Sequence, residues 1–369
     1  MRAVVVSHHY ADPANRGKLR VLAGLGATVA VAVPDRWVLP GGGVRVTAYG
    51  DDAGVRVVPI PVRGSAGEPP RLTWNTKALK RLLTDFRPDL VQVEEEPWTA
   101  GAAAASRTAK RLKIPLVIAT RDGVPRALSL GERLRRDRVL GRARGILGGS
   151  QLATALATRK RNGIPHEVVP QLGITPLPLV PRVPHGTFAI GFVGRLVPER
   201  GLDLLFRACV NLVGNWTISV VGTGPSQEEL EGLAERLGIA ARITWHGGLT
   251  RSAVDQVWPL LDCAVFPSRT TPRWVETVGR AALEAMAHGV AVVSSDSGVL
   301  PELIGDTGRI VAEENVTALA ETLYDLYADP GECQRLGAAG RRRVLEQFAD
   351  DAVGRKTLDF WTRLSAATI

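Results

Sequence analysis

The chain has 369 residues, 45% hydrophobic and 22% charged, which is ordinary globular composition and enough length for two domains with separate cores. No apolar run reaches membrane-spanning length, and the three cysteines (Cys209, Cys263, Cys333) are odd in number and widely spaced, which argues against a membrane-spanning chain and against a disulfide framework. The net charge of +9 is unevenly placed, with 29 Lys and Arg against 14 Asp and Glu in residues 1–185 and 17 against 23 in residues 186–369.

Met1-Arg2 leads straight into the apolar run Ala3–Val6 and then His8, His9 and Asp12, so no signal peptide is expected and the cytoplasm is the expected address. Strands are expected near 3–7, 28–34, 55–62, 90–94, 116–120, 145–149 and 167–170. Helices fill the gaps near 18–26, 73–86, 99–113 and 151–162. This alternation predicts an α/β domain with a parallel sheet between helical layers. The loop Ser7–Lys18 after the first strand offers Gly17 to phosphate or sugar and His8 or His9 to an acceptor, although a hydrogen-bonded structural histidine fits equally well. Glu94-Glu-Glu96 ends another strand on the same side. Glu95 and its neighbours read either as acceptor-side groups or as salt-bridge partners for arginines.

The positive charge of this half suits nucleic acid, an anionic membrane surface or a negatively charged substrate. It is spread through helices with no interleaved aromatics and no binding motif, so no nucleic-acid partner is expected. Its densest patch, Arg133, Arg135, Arg136, Arg138, Arg142 and Arg144, reads as a helix on lipid headgroups or as a solvated one. Five prolines between Pro170 and Pro184 exclude a helix or central strand and mark a stiff connector. The expected domains are 1–180 and 181–349, with a C-terminal helix over about 350–369 packing back on the first. Two doubly wound, Rossmann-like parallel-sheet domains are thus expected to face each other across a cleft lined by strand carboxyl ends.

The second half restarts the strand pattern at 188–193, 217–221, 242–246, 263–267, 291–294 and 309–311. Gly191-Phe-Val-Gly194-Arg195 ends its first strand, and Arg200 follows five residues later. Two permanently charged guanidiniums there are placed to neutralise a diphosphate. For Arg200, pairing with Glu199 and Asp203 at the surface is a reasonable alternative, less so for Arg195. Gly222-Thr223-Gly224-Pro225 lets backbone approach a ligand closely, but Gln227 stands where a dinucleotide fingerprint needs its third glycine, so no nicotinamide or flavin cofactor is expected. Glu276-Thr-Val-Gly-Arg-Ala-Ala-Leu-Glu284 puts two carboxylates eight positions apart at a helix start, about 12 Å along a helix. Val278, Gly279 and Arg280 would offer backbone N–H groups to a diphosphate, leaving Glu276 and Glu284 to hold sugar and ribose hydroxyls. No Asp-x-Asp and no zinc-like spacing occurs, so no metal is expected.

These residues together resemble the retaining GT-B glycosyltransferases of family 4. Glu276 and Glu284 are similar to that family's paired glutamates, Gly194-Arg195 and Arg200 to its phosphate-binding arginine and lysine, and Gly222-Thr-Gly224-Pro to its glycine turn. The similarity runs through Pro267–Trp274 and Ser295–Glu302, is strong over about 188–348 and looser before it. Arg200 replaces a lysine, Val278 an aromatic, and Thr120-Arg121-Asp-Gly stands where a histidine is usual. Arg121 is therefore an acceptor-side candidate with His9 and Glu95. The resemblance implies metal-independent transfer of a hexose from a nucleoside diphosphate sugar, UDP favoured and GDP next, to a glycan, lipid-linked or small-molecule hydroxyl with retention. Arg195, Arg200 and Glu276 would be catalytic; Gly17, Gly194, Thr223, Gly224, Val278, Gly279 and Glu284 would bind the donor. A nucleotide-sugar epimerase, a phosphorylase and a non-catalytic membrane- or partner-binding subunit share the architecture and remain open.

Overall fold

The computed structural model describes residues 1–38, 43–64, 71–123, 127–180, 186–272, 274–366. The chain forms two compact units, an N-terminal one of Met1–Thr175 with Ala349–Ile369 and a C-terminal one of Pro176–Phe348. Of the connector prolines, Pro181 and Pro184 lie outside the described residues.

In the N-terminal unit the chain runs β1 (Arg2–Val6), α1 (Gly17–Gly24), β2 (Thr28–Pro34), β3 (Arg36–Val38), β4 (Val44–Val46), β5 (Gly50–Asp52), β6 (Val55–Ile60), β7 (Val62–Arg63) and β8 (Thr73–Trp74). It continues with α2 (Thr76–Phe86), β9 (Leu90–Val93), α3 (Ala100–Arg111), β10 (Leu116–Thr120), α4 (Leu130–Leu140), β11 (Gly145–Gly148), α5 (Gln151–Thr158) and β12 (His166–Val168). The main sheet has the order β12-β11-β10-β9-β1-β2-β6-β5, parallel throughout except for the β5 edge. β1, β9, β10 and β11 are buried along almost their whole length, as uninterrupted apolar runs require when helices cover both faces.

The C-terminal unit runs β13 (Phe188–Val193), α6 (Leu202–Cys209), β14 (Trp216–Val221), α7 (Gln227–Arg236), β15 (Ile243–Gly247), α8 (Arg251–Val257) and β16 (Cys263–Phe266). It ends with α9 (Arg280–Ala287), β17 (Ala291–Ser295), α10 (Leu300–Ile304), β18 (Arg309–Val311), α11 (Val316–Ala328) and α12 (Pro330–Gln347). Its sheet is wholly parallel, ordered β15-β14-β13-β16-β17-β18. All three cysteines are buried thiols, and burial pushes the Cys209 thiol up to about 12. Among the described residues no helix is long and apolar enough to cross a membrane.

The last helix, α13 (Asp350–Ala366), returns to the first unit. Val353, Phe360, Trp361 and Leu364 join the core under β1 and β2, each contributing about 1.5–3 kcal/mol by leaving water. Trp361 Nε1 donates to buried Gln92 Oε1 at 2.7 Å, so the polar atom of the ring is satisfied as well.

Strand order reverses in each sheet at its first strand. β1 has β2 on one side and β9 on the other, while β13 has β14 and β16. Ligands of doubly wound sheets bind outside the strand carboxyl ends at such a reversal, and the loops after β1, β9, β13 and β16 lie there.

Candidate active site

Around β13 the loops are locked together by glycines. Gly222 has φ +138°, and a Cβ there would lie 1.8 Å from Gly194 O. Gly194 N donates to Val221 O at 3.0 Å and Gly222 N to Gly247 O at 2.8 Å. A Cβ on Gly224 would lie 2.2 Å from Leu196 O, while Leu196 N donates to Thr223 O at 3.0 Å and Ser226 N to Leu196 O at 3.0 Å. The Gly194 loop and the Gly222–Gly224 turn are thus zipped side by side. Thr223 and Arg195 are both exposed, and the Arg195 side chain makes no hydrogen bond or ion pair to any described residue.

Gly201, at φ +68°, brings this loop against the one after β16, since a Cβ would lie 1.9 Å from Pro267 O. Arg269 fastens the contact. Its N–H donates to Glu199 O at 2.8 Å, and its guanidinium grips Asp203 at 2.6 and 2.9 Å, which holds the Arg269 pKa above its ordinary value. Asp203 therefore belongs to Arg269, and the partner of Arg200 lies elsewhere. Arg200 Nη1 donates to Glu276 Oε2, and its guanidinium lies 5.1 Å from the Trp274 ring centroid.

Glu276 is 5% exposed. Gly298, at φ +55°, admits the Glu276 carbonyl, which accepts Val299 N–H at 3.0 Å. The carboxylate turns back on its own chain, where Oε1 accepts Val278 N–H at 3.2 Å and Gly279 N–H at 3.1 Å. This corrects the sequence expectation on two points. The helix begins at Arg280, not at Glu276, because Gly279 sits before it with φ +58°, so a helical rise does not separate the two glutamates. The N–H groups of Val278 and Gly279, expected to be open to a diphosphate, are taken by Glu276. Glu284 lies within α9, accepting Arg280 Nε–H at 2.8 Å with Arg251 Nη2 at 3.4 Å, and does not touch the Glu276 cluster. The structure thus gathers Gly194, Arg200, Glu276, Val278 and Gly279, ties Thr223 and Gly224 to them through Leu196, and leaves Glu284 on the next helical turn.

In the N-terminal unit the three consecutive carboxylates at the end of β9 each have a different partner. Lys18, 1% exposed, donates from Nζ to Glu94 Oε1 at 2.7 Å and to Gln171 O at 2.7 Å. Glu95 takes His8 Nδ1 at 2.8 and 2.9 Å and the His8 backbone N–H at 3.1 Å. Glu96 accepts Thr120 Oγ1–H at 2.5 Å and Arg121 N–H at 3.1 Å, and burial still holds its pKa above the ordinary carboxylate value. Hence His8, not His9, is the histidine joined to Glu95. His9 is half-exposed, with its N–H on Ser7 Oγ at 3.2 Å. Arg121 meets the cluster through its backbone. Gly17 opens α1 against Asp350, whose Oδ2 would lie 1.9 Å from a Cβ, so the close packing of α1 on the start of α13 requires a glycine there.

Beside Glu96 a cavity of about 460 Å³ runs between α4 and α5, lined by Glu96, Trp98, Asp122, Arg133, Arg136 and Lys160 among others. Its lining combines carboxylates, an aromatic ring and cations. Leu130, Leu134 and Leu152 are exposed on the same two helices. Neither Lys18 nor this cavity was foreseen: a lysine is normally expected at the surface, and the cavity exists only where α4 and α5 diverge.

Residues 180–343 match the family described as Glycosyl transferases group 1, and residues 14–173 match the Glycosyl transferase 4-like domain. A GDP-mannose-dependent alpha-(1-6)-phosphatidylinositol monomannoside mannosyltransferase of Mycolicibacterium smegmatis is 35% identical over 163 residues, 42% of this chain and 43% of that protein. The matched stretch spans less than half the length of such curated relatives. Among solved structures, sucrose-phosphate synthase from Thermosynechococcus elongatus superposes with a TM-score of 0.74 at 18% identity over the whole of both chains. Anabaena HepE in complex with UDP gives 0.73 at 16% identity, covering 98% of this chain and 100% of that one. The fold is that of the GT-B enzymes. The chain belongs to the GT-B glycosyltransferases of family 4.

Proposed function

We propose that the chain transfers a hexose from a nucleoside diphosphate sugar to an acceptor hydroxyl, with retention at the anomeric carbon and without a metal ion. The observation that supports this reading is the loop cluster at the β13–β16 reversal, where Arg200 meets Glu276 and the start of α9 beside the glycine-zipped loop that carries Arg195. Charge developing on a departing diphosphate would be met there by the guanidiniums and, once Glu276 yields them, by the N–H groups of Val278 and Gly279. Glu276 already behaves as an anion in that place. Its carboxylate holds Arg200 and the two N–H groups, and an incoming diphosphate would take them over and free Glu276 for a sugar hydroxyl. Glu284 then serves the ribose.

The GDP-mannose-dependent mannosyltransferase that is 35% identical over 163 residues favours GDP-mannose as the first donor to test, ahead of the UDP-sugars that the resemblance implied. The acceptor is held by the N-terminal unit, whose cavity beside Glu96 offers carboxylates and Trp98 to a polyol and Arg133, Arg136 and Lys160 to an anionic group. The exposed leucines and arginines of α4 further suit an acceptor presented at an anionic membrane surface.

The test is a thermal-shift and calorimetric panel of GDP, GDP-mannose, UDP and UDP-hexoses, with EDTA present. One nucleotide should bind, and its sugar should be consumed to a product of retained configuration by NMR. Absence of binding to every nucleotide would overturn the reading, and sugar isomerisation without an acceptor would favour an epimerase. Sedimentation with anionic vesicles at low and high salt checks the membrane contact, which should weaken as salt rises.

A further inference from the structure

We propose that Arg280 and Arg251 position Glu284 to grip the ribose of the nucleotide, and so make the C-terminal unit select ribonucleotides over deoxyribonucleotides; this rests on the transferase reading above. Arg280 opens α9, and Glu284 stands one turn further in. Arg280 Nε donates to Glu284 Oε1 at 2.8 Å, and Nη2 of Arg251, the first residue of α8, lies 3.4 Å from the same oxygen. Both guanidiniums therefore bear on Oε1, while Oε2 makes no hydrogen bond to any described residue. Side-chain exposure is 14% for Glu284, 27% for Arg280 and 34% for Arg251, so the carboxylate is better shielded than either cation yet still open to a ligand.

Helix stability does not account for these arginines. A cation in the first turn opposes the macrodipole, and an (i, i+4) pair with the arginine N-terminal to the glutamate is the weaker order. The arrangement does have a use if α9 is built to present a carboxylate. An ionised carboxylate only accepts hydrogen bonds, so holding one oxygen with two guanidiniums fixes the rotamer and leaves the other oxygen to a hydroxyl donor. The Glu284 carbonyl is tied down as well, accepting the His288 N–H at 3.1 Å and Nδ1–H at 2.9 Å. The 2′-hydroxyl of a ribose is such a donor. A 2′-deoxy sugar would leave Oε2 covered and unpaired, and an unpaired polar group is what gives hydroxyl-reading sites their discrimination. Arg280 and Arg251 touch no substrate atom in this role and are positioning residues.

The test is calorimetry on the full chain with GDP and 2′-deoxy-GDP, or with the UDP pair if the wild type binds that base instead. The wild type should bind the ribonucleotide about tenfold tighter. Arg280→Met and Arg251→Met should each cut that ratio to about two- to threefold, by loss of ribonucleotide affinity with deoxyribonucleotide affinity unchanged. Arg251 lies on a separate helix and is the more exposed, so its variant carries the test if Arg280→Met does not fold. In turnover with the matching sugar nucleotide both variants should raise KM and leave kcat near wild type, because the ribose is held alike before and during the reaction. A structural tie between α8 and α9, or a contact to phosphate, would weaken both nucleotides equally; that result, or a ratio unchanged from the wild type, would overturn the proposal. Equal binding of the two nucleotides by the wild type would also overturn it while leaving the transferase reading intact. If the wild type binds no nucleotide, the transferase reading itself falls.

Discussion

At the β1–β9 reversal the charges are already matched within the unit, with Lys18 on Glu94 and His8 on Glu95, all four nearly inaccessible to water. At the β13–β16 reversal positive charge is in excess of that kind of matching: Arg195 is exposed with no described partner, and Arg200 is held by a carboxylate that also closes the loop before α9. A site that receives a neutral hydroxyl needs fixed geometry, which buried pairs supply. A site that receives a diphosphate needs charge that can be handed over, which exposed guanidiniums supply. Mutations should therefore damage stability in the first place and turnover in the second.

The sharpest break is Lys18→Met. It leaves Glu94 buried without its cation and should destabilise the N-terminal unit by about 3–5 kcal/mol, read from urea unfolding followed by hydrogen exchange of the β1 and β9 amides. Adding Glu94→Gln should restore part of this loss, because the uncompensated charge is then gone. A Lys18→Met protein as stable as the parent would show that the buried pair is not what holds that crevice.

Arg195→Ala is the opposite case. No contact among the described residues is lost, so the melting temperature should stay put, while kcat drops roughly a hundredfold or more if the guanidinium meets charge on the leaving group. Near-normal turnover would remove Arg195 from the reaction. Next in size is Glu276→Gln. The amide oxygen can still take the Val278 and Gly279 N–H groups, but Arg200 loses a charged partner, so GDP alone should bind about severalfold tighter, on the order of 1 kcal/mol. Sugar turnover should fall in the same variant. A parallel loss of GDP affinity would mean that Glu276 does not stand in the diphosphate's place.

Much of this arrangement is legible in the residues, and the reasons differ from place to place. The parallel strands are uninterrupted apolar runs such as Ala3–Val6 and Ala291–Val293, which admit little else. The grouping of Gly194, Gly222 and Gly224 is legible because backbone approach excludes a Cβ. What the residues conceal is a single dihedral or a single register. Gly279 is visible, but its left-handed φ, which delays α9 to Arg280 and turns Glu276 back on Val278, is not. Which of two adjacent histidines meets Glu95 depends on where β1 ends. The β3–β4 hairpin is half-exposed and three residues long on each side, too short to leave a periodic signature.

The smallest effect separates two carboxylates of the N-terminal unit by the sign of their pH dependence. Burial raises Glu96 above its ordinary value, so the folded unit keeps that proton when the unfolded chain has released it. The corresponding contribution to stability is full below the ordinary glutamate range and declines as pH rises through the folded value. Asp52, lowered mainly by its hydrogen bond from Arg20, runs the other way: its contribution is present above the ordinary aspartate value and is lost as pH falls through the folded one. Glu96→Gln should therefore remove the decline, so that the variant gains stability relative to the parent as pH rises from 5 to 7, in hydrogen exchange of the β10 amides. Parallel profiles at the two pH values would show that solvent or a bound group already relieves Glu96, and the cavity beside it would then be wetter than its lining suggests.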